Sequence, residues 1–300
     1  MFKYNISLKN IVKIITFLLL FSCDFFSENS EFNENNLRTT EIFINQNIEG
    51  KNFSRSVLIQ APSIINKSKN YPIVMAFHGR GGTNQNWINL LKKYTDNGDF
   101  VGIYPQGYLK SWNLATENLS FGEPSKADDV EFVNLIINEL KNYPNLDFNK
   151  IYAIGNSNGS GMVNKLALET TYFKAIAPIV SQLTEAMIIT NTTQPISVFQ
   201  VNGAKDNLIP INGGQGPGTH IFLDALVSAE YWASSFSCSD AEQFSVGNNL
   251  SEYGINKLYL FKNCQNGKQV RYLRLENGYH NVLSSYTSLI EEIWDFFEKY

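Results

Sequence analysis

The chain has 300 residues, of which 43% are hydrophobic, and its formal net charge is −4. This length is enough for one large α/β domain with a well-buried core, so a second domain is not required. Charges of both signs are mixed along the chain without a basic block, which argues against nucleic acid as a partner.

The N-terminal 40 residues have the composition of an export signal followed by a tether. Lysines and then the apolar run 14–21, which is too short to span a bilayer, predict a signal peptide over residues 1–22. Residues 20–23 resemble a bacterial lipobox, so we predict that Cys23 is acylated. We expect this lipid to be the only membrane contact. An ordinary signal peptide with a chance cysteine is the alternative. Residues 23–40 are predicted to form the lipidated tether, and residues 41–300 the folded domain.

Strand-like and helical patterns alternate over the rest of the chain. Apolar runs bounded by turn residues predict strands over 53–60, 73–77, 100–104, 151–154, 175–180, 196–201, 258–261 and 270–275. Amphipathic patterns predict helices over 87–94, 130–142, 223–236 and 288–297, and a further helix directly after Ser157. This alternation predicts an α/β fold with a mostly parallel central sheet and helices on both faces.

The segment 155–159, with the sequence Gly-Asn-Ser-Asn-Gly, has the pattern of a serine-nucleophile elbow. It follows the apolar strand 151–154 and precedes a helical pattern, which is the context that such an elbow requires. The tight turn needs small residues two positions before and after the nucleophile, and Gly155 and Gly159 stand there. We predict that Ser157 is a nucleophile; the alternative is a glycine-rich turn that happens to contain a serine.

A serine hydroxyl needs a base to accept its proton and a carboxylate to orient that base. In the order Ser, Asp, His, the chain offers Asp206 after the strand 196–201 and His280 after the last strand. His78 lies in a glycine-rich strand exit upstream of the elbow and is predicted to be structural. His220 follows a flexible glycine-rich loop and is predicted to be exposed, with a substrate-facing position as the alternative.

Other polar groups can be assigned around this predicted triad. Asp128, Asp129 and Asp224 lie in predicted helices or at their starts, where capping explains them. The backbone N–H groups of Asn158 and Arg80 are predicted to form an oxyanion hole. Two spaced cysteines and scattered histidines do not have metal-ligand spacing, and no phosphate-binding loop is present, so we expect no metal and no cofactor.

The chain contains three cysteines. If Cys23 carries a lipid, Cys238 and Cys264 remain as an even pair, and export would permit a disulfide between them. Two buried free thiols are the alternative.

Several motifs together resemble the poly(3-hydroxybutyrate) depolymerase and feruloyl esterase group, which is similar to carbohydrate esterase family 1. The likeness covers most of the chain and rests on the glycine-rich loop 78–82, the tracts 104–107 and 111–113, the segment 128–130, the elbow at Ser157, the pair 177–178, Asp206 with 209–210, and Gly278 before His280. The resemblance implies an α/β-hydrolase fold, a triad of Ser157, Asp206 and His280, and a Cys238–Cys264 disulfide. The chain departs from the family at Asn202 and Val282, where His and Trp are frequent, which leaves the acyl or sugar preference open.

The same resemblance implies a secreted or surface-anchored serine esterase that acts through an acyl-enzyme. The expected substrates are feruloyl or acetyl esters of plant cell-wall polysaccharide, or polyhydroxyalkanoate. Trp112 is a candidate wall for an aromatic acyl group or a sugar ring, and a core position is the alternative. A serine peptidase on the same fold and a non-catalytic glycan-binding lipoprotein are the alternative functions, because a fold does not fix a substrate.

Overall fold

The computed structural model describes residues 36–115 and 125–300. The predicted signal peptide, the acylation site at Cys23 and most of the predicted tether lie outside the described residues, so these stay predictions. Within the described ranges, no helix has the length and apolar character needed to cross a bilayer.

A large mixed sheet organises the described residues. The strands are β1 (Thr40–Ile48), β2 (Lys51–Gln60), β3 (Tyr71–Phe77), β4 (Val101–Pro105), β5 (Leu146–Asn156), β6 (Ala175–Ile179), β7 (Ser197–Gly203), β8 (Asn212–Gln215), β9 (Ile221–Asp224), β10 (Glu242–Val246), β11 (Asn256–Phe261) and β12 (Val270–Leu275). Ten of these strands form one sheet in the order β1-β2-β4-β3-β5-β6-β7-β12-β11-β10, and β8 pairs with β9 in a separate hairpin. The strands from β4 to β12 in this order are parallel, whereas each of the two outer strands on either side pairs antiparallel with its neighbours. The carboxyl ends of the parallel strands therefore meet at one edge, where the loops after them can form a site.

Helices cover both faces of the sheet. They are α1 (Ile88–Asn97), α2 (Asp129–Leu140), α3 (Asn158–Glu169), α4 (Ala225–Ser235), α5 (Val282–Ser285) and α6 (Leu289–Phe297). Strand β3 shows how two apolar clusters arise: Ile73, Met75 and Phe77 belong to one cluster, and Val74 and Ala76 to the other, because successive side chains point to opposite faces. Helices α2, α3 and α4 contribute to the first cluster, and α1 and α6 to the second. The predicted mostly parallel sheet with helices on both faces is confirmed.

Four strands lie outside the sequence predictions. Strands β1 and β10 are the two edges of the sheet, and four of the five side chains of β10 are exposed, so neither strand carries the apolar run of a buried strand. The hairpin β8–β9 contains the glycine-rich segment that is predicted to be a flexible loop, and β9 extends over residues 223 and 224, which are predicted to be helical. The short helix α5, which follows the loop that carries His280, is also not predicted from the sequence.

A disulfide joins Cys238 and Cys264. It connects the segment after α4 to the segment after β11, and the sequence separation of the two cysteines is 26. The structure therefore contains the predicted bridge and not the two free thiols.

Candidate active site

Ser157 lies in the sharp turn between β5 and α3. Its backbone has φ 56° and ψ −119°, which is costly for any residue that carries a side chain. A Cβ added to Gly155 would lie 2.2 Å from the Gly159 carbonyl oxygen, and one added to Gly159 would lie 2.2 Å from the Phe77 carbonyl oxygen. Only glycine fits at both positions, so the local sequence is the one that this turn requires.

The side chains of Ser157, His280 and Asp206 form one hydrogen-bonded chain. His280 Nε2 lies 2.9 Å from Ser157 Oγ, and His280 Nδ1 lies 2.7 Å from Asp206 Oδ2. The other carboxylate oxygen, Oδ1, accepts hydrogen bonds from the backbone N–H groups of Leu208 and Ile209 at 2.8 and 3.0 Å. Because an ionised carboxylate only accepts, the proton of a neutral His280 ring lies on Nδ1, and Nε2 is left to accept the proton of the serine hydroxyl.

Close packing of two loops brings Asp206 to His280. Asp206 follows β7 and His280 follows β12, which are parallel neighbours in the sheet. A Cβ added to Gly203 would lie 2.5 Å from the Gly278 carbonyl oxygen, and the Lys205 N–H donates to that same oxygen at 2.8 Å. The Asp206 side chain is 2% exposed and the His280 side chain 23%, so the carboxylate is shielded while the ring reaches the surface of a cleft.

The residues predicted to supply the oxyanion hole lie beside the elbow. Asn158 is the first residue of α3, so its N–H has no acceptor within the helix. Gly79 lies against the elbow from the other side, since a Cβ added to it would be 3.4 Å from Ser157 Cβ. The N–H of Gly81 is bonded to the Lys110 carbonyl at 2.7 Å and is therefore not the donor of this loop, and the Arg80 N–H stays the predicted one. Arg80 and Asn158 both line the cleft that contains Ser157.

His78 is buried and fixes the peptide that precedes Arg80. Its Nε2 accepts a hydrogen bond from the Gly107 N–H at 3.0 Å, so the ring proton lies on Nδ1 and is donated to the Gly79 carbonyl oxygen at 2.8 Å. In a planar trans peptide, the Gly79 carbonyl and the Arg80 N–H point in opposite directions, so this bond also sets the direction of the Arg80 N–H. Burial lowers the pKa of His78, and the neutral ring suits both contacts.

The cleft in front of Ser157 has a volume of about 390 Å³ and is largely apolar. Its apolar lining consists of Leu114, Leu208, Ile209, Pro217 and Phe222. His220 also lines this cleft and is only 3% exposed, so the prediction that it is an exposed loop residue is wrong. The hairpin β8–β9 is the reason, because it folds the glycine-rich segment back and pairs Phe222 with Thr184.

Trp112 does not occupy the position predicted for a substrate-facing wall. Its side chain is fully buried, and the described residues that line the cleft do not include it. The indole ring packs edge-on against Phe77 with ring centroids 5.1 Å apart, and its Nε1–H donates to the His78 carbonyl oxygen at 2.8 Å. The core position, which was the alternative, is therefore the one that the structure shows.

The neighbouring residues Asp128 and Asp129 have different roles. Asp128 caps α2 as predicted and accepts a hydrogen bond from the Glu131 N–H at 2.9 Å. Asp129 is fully buried and forms an ion pair with Arg55 at 2.7 Å, so the predicted capping role is wrong for this residue. A signal was present: Arg55, Val57 and Ile59 share the buried face of β2, and an arginine at such a position needs a buried partner.

Asp224 caps α4 and accepts hydrogen bonds from the N–H groups of Leu226 and Val227, as predicted. Across residues 36–115 and 125–300, no group of three or more His, Cys, Asp or Glu side chains is arranged to hold a metal ion.

Sequence comparison identifies relatives that are named as esterases. The chain is 27% identical over 243 residues to feruloyl esterase B of Piromyces equi, in an alignment that covers 75% of this chain and 42% of that protein. It is 24% identical over 250 residues to a bifunctional acetylxylan esterase/xylanase of Neocallimastix patriciarum, covering 81% of this chain and 33% of that protein. The chain thus spans less than half the length of these two relatives. No protein-family model matches it.

Structure comparison decides the fold. The acetyl xylan esterase from Aspergillus awamori matches with a TM-score of 0.60 at 14% identity, covering 86% of this chain and 99% of that one. The chain has the α/β-hydrolase fold. The two sequence relatives confirm the predicted resemblance to feruloyl and acetylxylan esterases.

Proposed function

We propose that this protein is a carboxylic ester hydrolase in which Ser157 is the nucleophile, His280 the base and Asp206 the carboxylate that orients the base. The observation that carries the proposal is the hydrogen-bonded chain from Asp206 through His280 to Ser157, which ends at the apolar cleft. The order of these residues along the chain, and their positions at strand ends, are those of α/β-hydrolases.

In the first half of the reaction, Ser157 Oγ attacks the carbonyl carbon of the ester while His280 Nε2 takes the hydroxyl proton. The charge that forms on the histidine is stabilised by Asp206. The carbonyl oxygen becomes an oxyanion that accepts hydrogen bonds from the N–H groups of Asn158 and Arg80. When the intermediate collapses, the bond to the leaving alcohol breaks, and the alcohol oxygen receives the proton from His280.

In the second half, water hydrolyses the ester formed on Ser157. His280 Nε2 accepts a proton from the water as it attacks the acyl carbon, and the second tetrahedral intermediate uses the same two N–H groups. Its collapse returns the proton to Ser157 Oγ and releases the carboxylic acid. No step requires a cofactor, because every proton and electron pair moves between the ester, water and these side chains.

The names of the relatives support a class of substrate. Feruloyl esterase B and acetylxylan esterase act, by their names, on feruloyl and acetyl esters, so we extend the proposal to carboxylic esters of plant cell-wall polysaccharide, with polyhydroxyalkanoate as the second polymer. The apolar lining of the cleft suits the acyl part of such an ester, because binding there removes the apolar surface of the acyl group from water. Export and a lipid on Cys23 complete the proposal and place the enzyme at the cell envelope.

A substrate panel tests the proposal. The purified protein should hydrolyse p-nitrophenyl butyrate and at least one of methyl ferulate, acetylated xylan and short 3-hydroxybutyrate oligomers, while peptide p-nitroanilides stay intact. Fluorophosphonate should label Ser157 covalently, and peptide mapping by mass spectrometry identifies the labelled serine. Hydrolysis of the anilides instead would make the protein a peptidase, and an unlabelled, inactive protein would favour a glycan-binding role.

The variant Ser157→Ala should lose several orders of magnitude in kcat and keep the fold, as triad deletions do. Ser160→Ala is the matched control, because Ser160 lies on the same helix and its hydroxyl bonds only to the Ser181 carbonyl in the described residues. Ser157→Ala retaining more than about a tenth of the wild-type rate would remove Ser157 from the role of nucleophile.

A further inference from the structure

We infer that Trp112 is a positioning residue that fixes the two proposed donors of the oxyanion hole, the N–H groups of Arg80 and Asn158, relative to each other. This inference rests on the proposed function. Trp112 is fully buried and is not among the described residues that line the cleft, so it acts on the reaction only through other residues. Its contacts reach both segments that carry a proposed donor, one through its side chain and one through its backbone.

The side chain of Trp112 fixes the start of the loop that carries the Arg80 N–H. Its Nε1–H donates to the His78 carbonyl oxygen at 2.8 Å. Its ring also packs against the His78 imidazole, with ring centroids 5.0 Å apart. Since His78 in turn fixes the Gly79–Arg80 peptide, a shift of the indole N–H would be passed to the first donor.

The backbone of Trp112 is held by Asn158, the residue that supplies the second donor. Asn158 Oδ1 accepts a hydrogen bond from the Trp112 N–H at 2.7 Å, and Asn158 Nδ2 donates to the Trp112 carbonyl oxygen at 3.1 Å. Both bonds are buried, where hydrogen bonds are strong and a lost partner is costly. The Asn158 side chain is therefore bonded to Trp112, while the backbone N–H of the same residue is the second proposed donor.

Trp112 is also held in place through its neighbour in the sequence, Asn113. The next residue, Asn113, donates its N–H to Asp129 Oδ2 at 2.7 Å, and the other oxygen of Asp129 is paired with Arg55. Trp112 thus connects the segments of both donors to one buried residue, which is itself held in place. Donors that are fixed before the reaction favour the oxyanion over the ground-state carbonyl, so their displacement should lower kcat and leave KM nearly unchanged.

Two Trp→Phe variants separate this role from packing. Trp112→Phe keeps an aromatic ring and removes Nε1–H. Trp232→Phe is the matched control: Trp232 is equally buried and belongs to the same apolar cluster, but its Nε1 has no hydrogen-bond partner among the described residues. Both variants should unfold at somewhat lower temperature than the wild type, because each loses part of a buried indole ring.

Their kinetics should differ. Trp112→Phe should lower kcat about 10- to 100-fold with KM within about threefold, a smaller loss than removal of a donor, which costs about 100- to 1000-fold. Trp232→Phe should keep kcat within about twofold. An equal loss of kcat in both variants would mean that Trp112 serves only packing.

A trifluoromethyl ketone adds a readout that packing alone would not change. Ser157 Oγ adds to its carbonyl carbon, His280 takes the serine proton, and the ketone oxygen becomes an oxyanion in the hole. For Trp112→Phe, the inhibition constant should rise by the factor by which kcat/KM falls. An unchanged inhibition constant would overturn the inference.

The outcomes also distinguish the inference from the proposed function. A wild-type protein that neither hydrolyses esters nor reacts with fluorophosphonate defeats the proposed function and, with it, the inference. An active wild type with an unaffected Trp112→Phe variant defeats the inference alone. If Trp112→Phe does not fold, Asn158→Ala tests the same link, because it keeps the N–H of residue 158 and removes both bonds to Trp112; unchanged kcat and inhibition constant there would likewise refute the positioning role.

Discussion

Replacing Asp206 with asparagine tests how the proposed triad fixes the tautomer of His280. Asp206 Oδ1 accepts two backbone N–H groups, so the amide oxygen of an asparagine must take that place, since an NH2 group there would face two donors. The NH2 group then replaces Oδ2 and donates to His280 Nδ1. The ring proton must move to Nε2, which can no longer accept the proton of Ser157 Oγ.

We expect Asp206→Asn to lower kcat by about 10⁴-fold, the loss that a wrong tautomer causes in such a triad, which corresponds to about 5 kcal/mol in the activation barrier. The assay is steady-state hydrolysis of p-nitrophenyl butyrate at neutral pH, with thermal unfolding measured in parallel to show that the fold is intact. Asp224→Asn is the control, because Asp224 also accepts two backbone N–H groups, as the cap of α4, and asparagine caps as well as aspartate. Its kcat should stay within about twofold of the wild type, and a kcat of Asp206→Asn within tenfold of the wild type would refute the tautomer argument.

Three further predictions concern stability and location. Reduction of the Cys238–Cys264 bridge should lower the free energy of unfolding by about 3–4 kcal/mol for its 26-residue separation, measured by denaturant titration with and without reductant; equal midpoints would contradict this. Burial lowers the pKa of His78; the hydrogen bond to Gly79 opposes this shift and the charge of Arg55 adds to it. As the pH falls below about 6.5, His78 therefore binds a proton in the unfolded chain but not in the native protein. The free energy of unfolding should therefore fall with pH in that range, and less steeply in His78→Asn; parallel pH profiles would be evidence against it. Cys23→Ala should abolish incorporation of labelled fatty acid and release the protein from the membrane fraction, whereas a soluble, unlabelled wild type would refute lipidation.

The central strands and helices could be predicted because their signals are local. Strand β3 is buried on both faces, so its sequence is a continuous apolar run, and turn residues precede and follow this run. The edge strands β1 and β10 have one neighbour each, and many of their side chains face water, so they carry no such run. Their existence depends on the strand beside them, which a window of a few residues does not contain.

The site shows the same division between local and distant signals. The elbow at Ser157 is defined by its two glycines, and the order of the loops that follow the strands predicts Asp206 and His280 as its partners. The positions of Trp112 and His220 are harder to predict, because the burial of each depends on contacts with distant segments; the hairpin that contains His220 is held there by the pairing of Phe222 with Thr184. Trp112 is bonded to His78, which lies 34 positions before it, and to Asn158, which lies 46 positions after it.

The buried polar groups beneath the elbow form a connected set, and the cost of burial explains why. A charged or polar side chain in the core is tolerated only with a partner, so Arg55 requires Asp129, and Asp129 in turn accepts the Asn113 N–H. Burial raises the pKa of Asp129 while Arg55 opposes this rise, so loss of the arginine would favour a protonated, uncharged Asp129. A protonated Asp129 would accept a weaker hydrogen bond from the Asn113 N–H, because an ionised acceptor makes the stronger bond. Strand β2, which contributes no residue to the lining of the catalytic cleft, is therefore connected through this ion pair to the segment that positions the oxyanion hole.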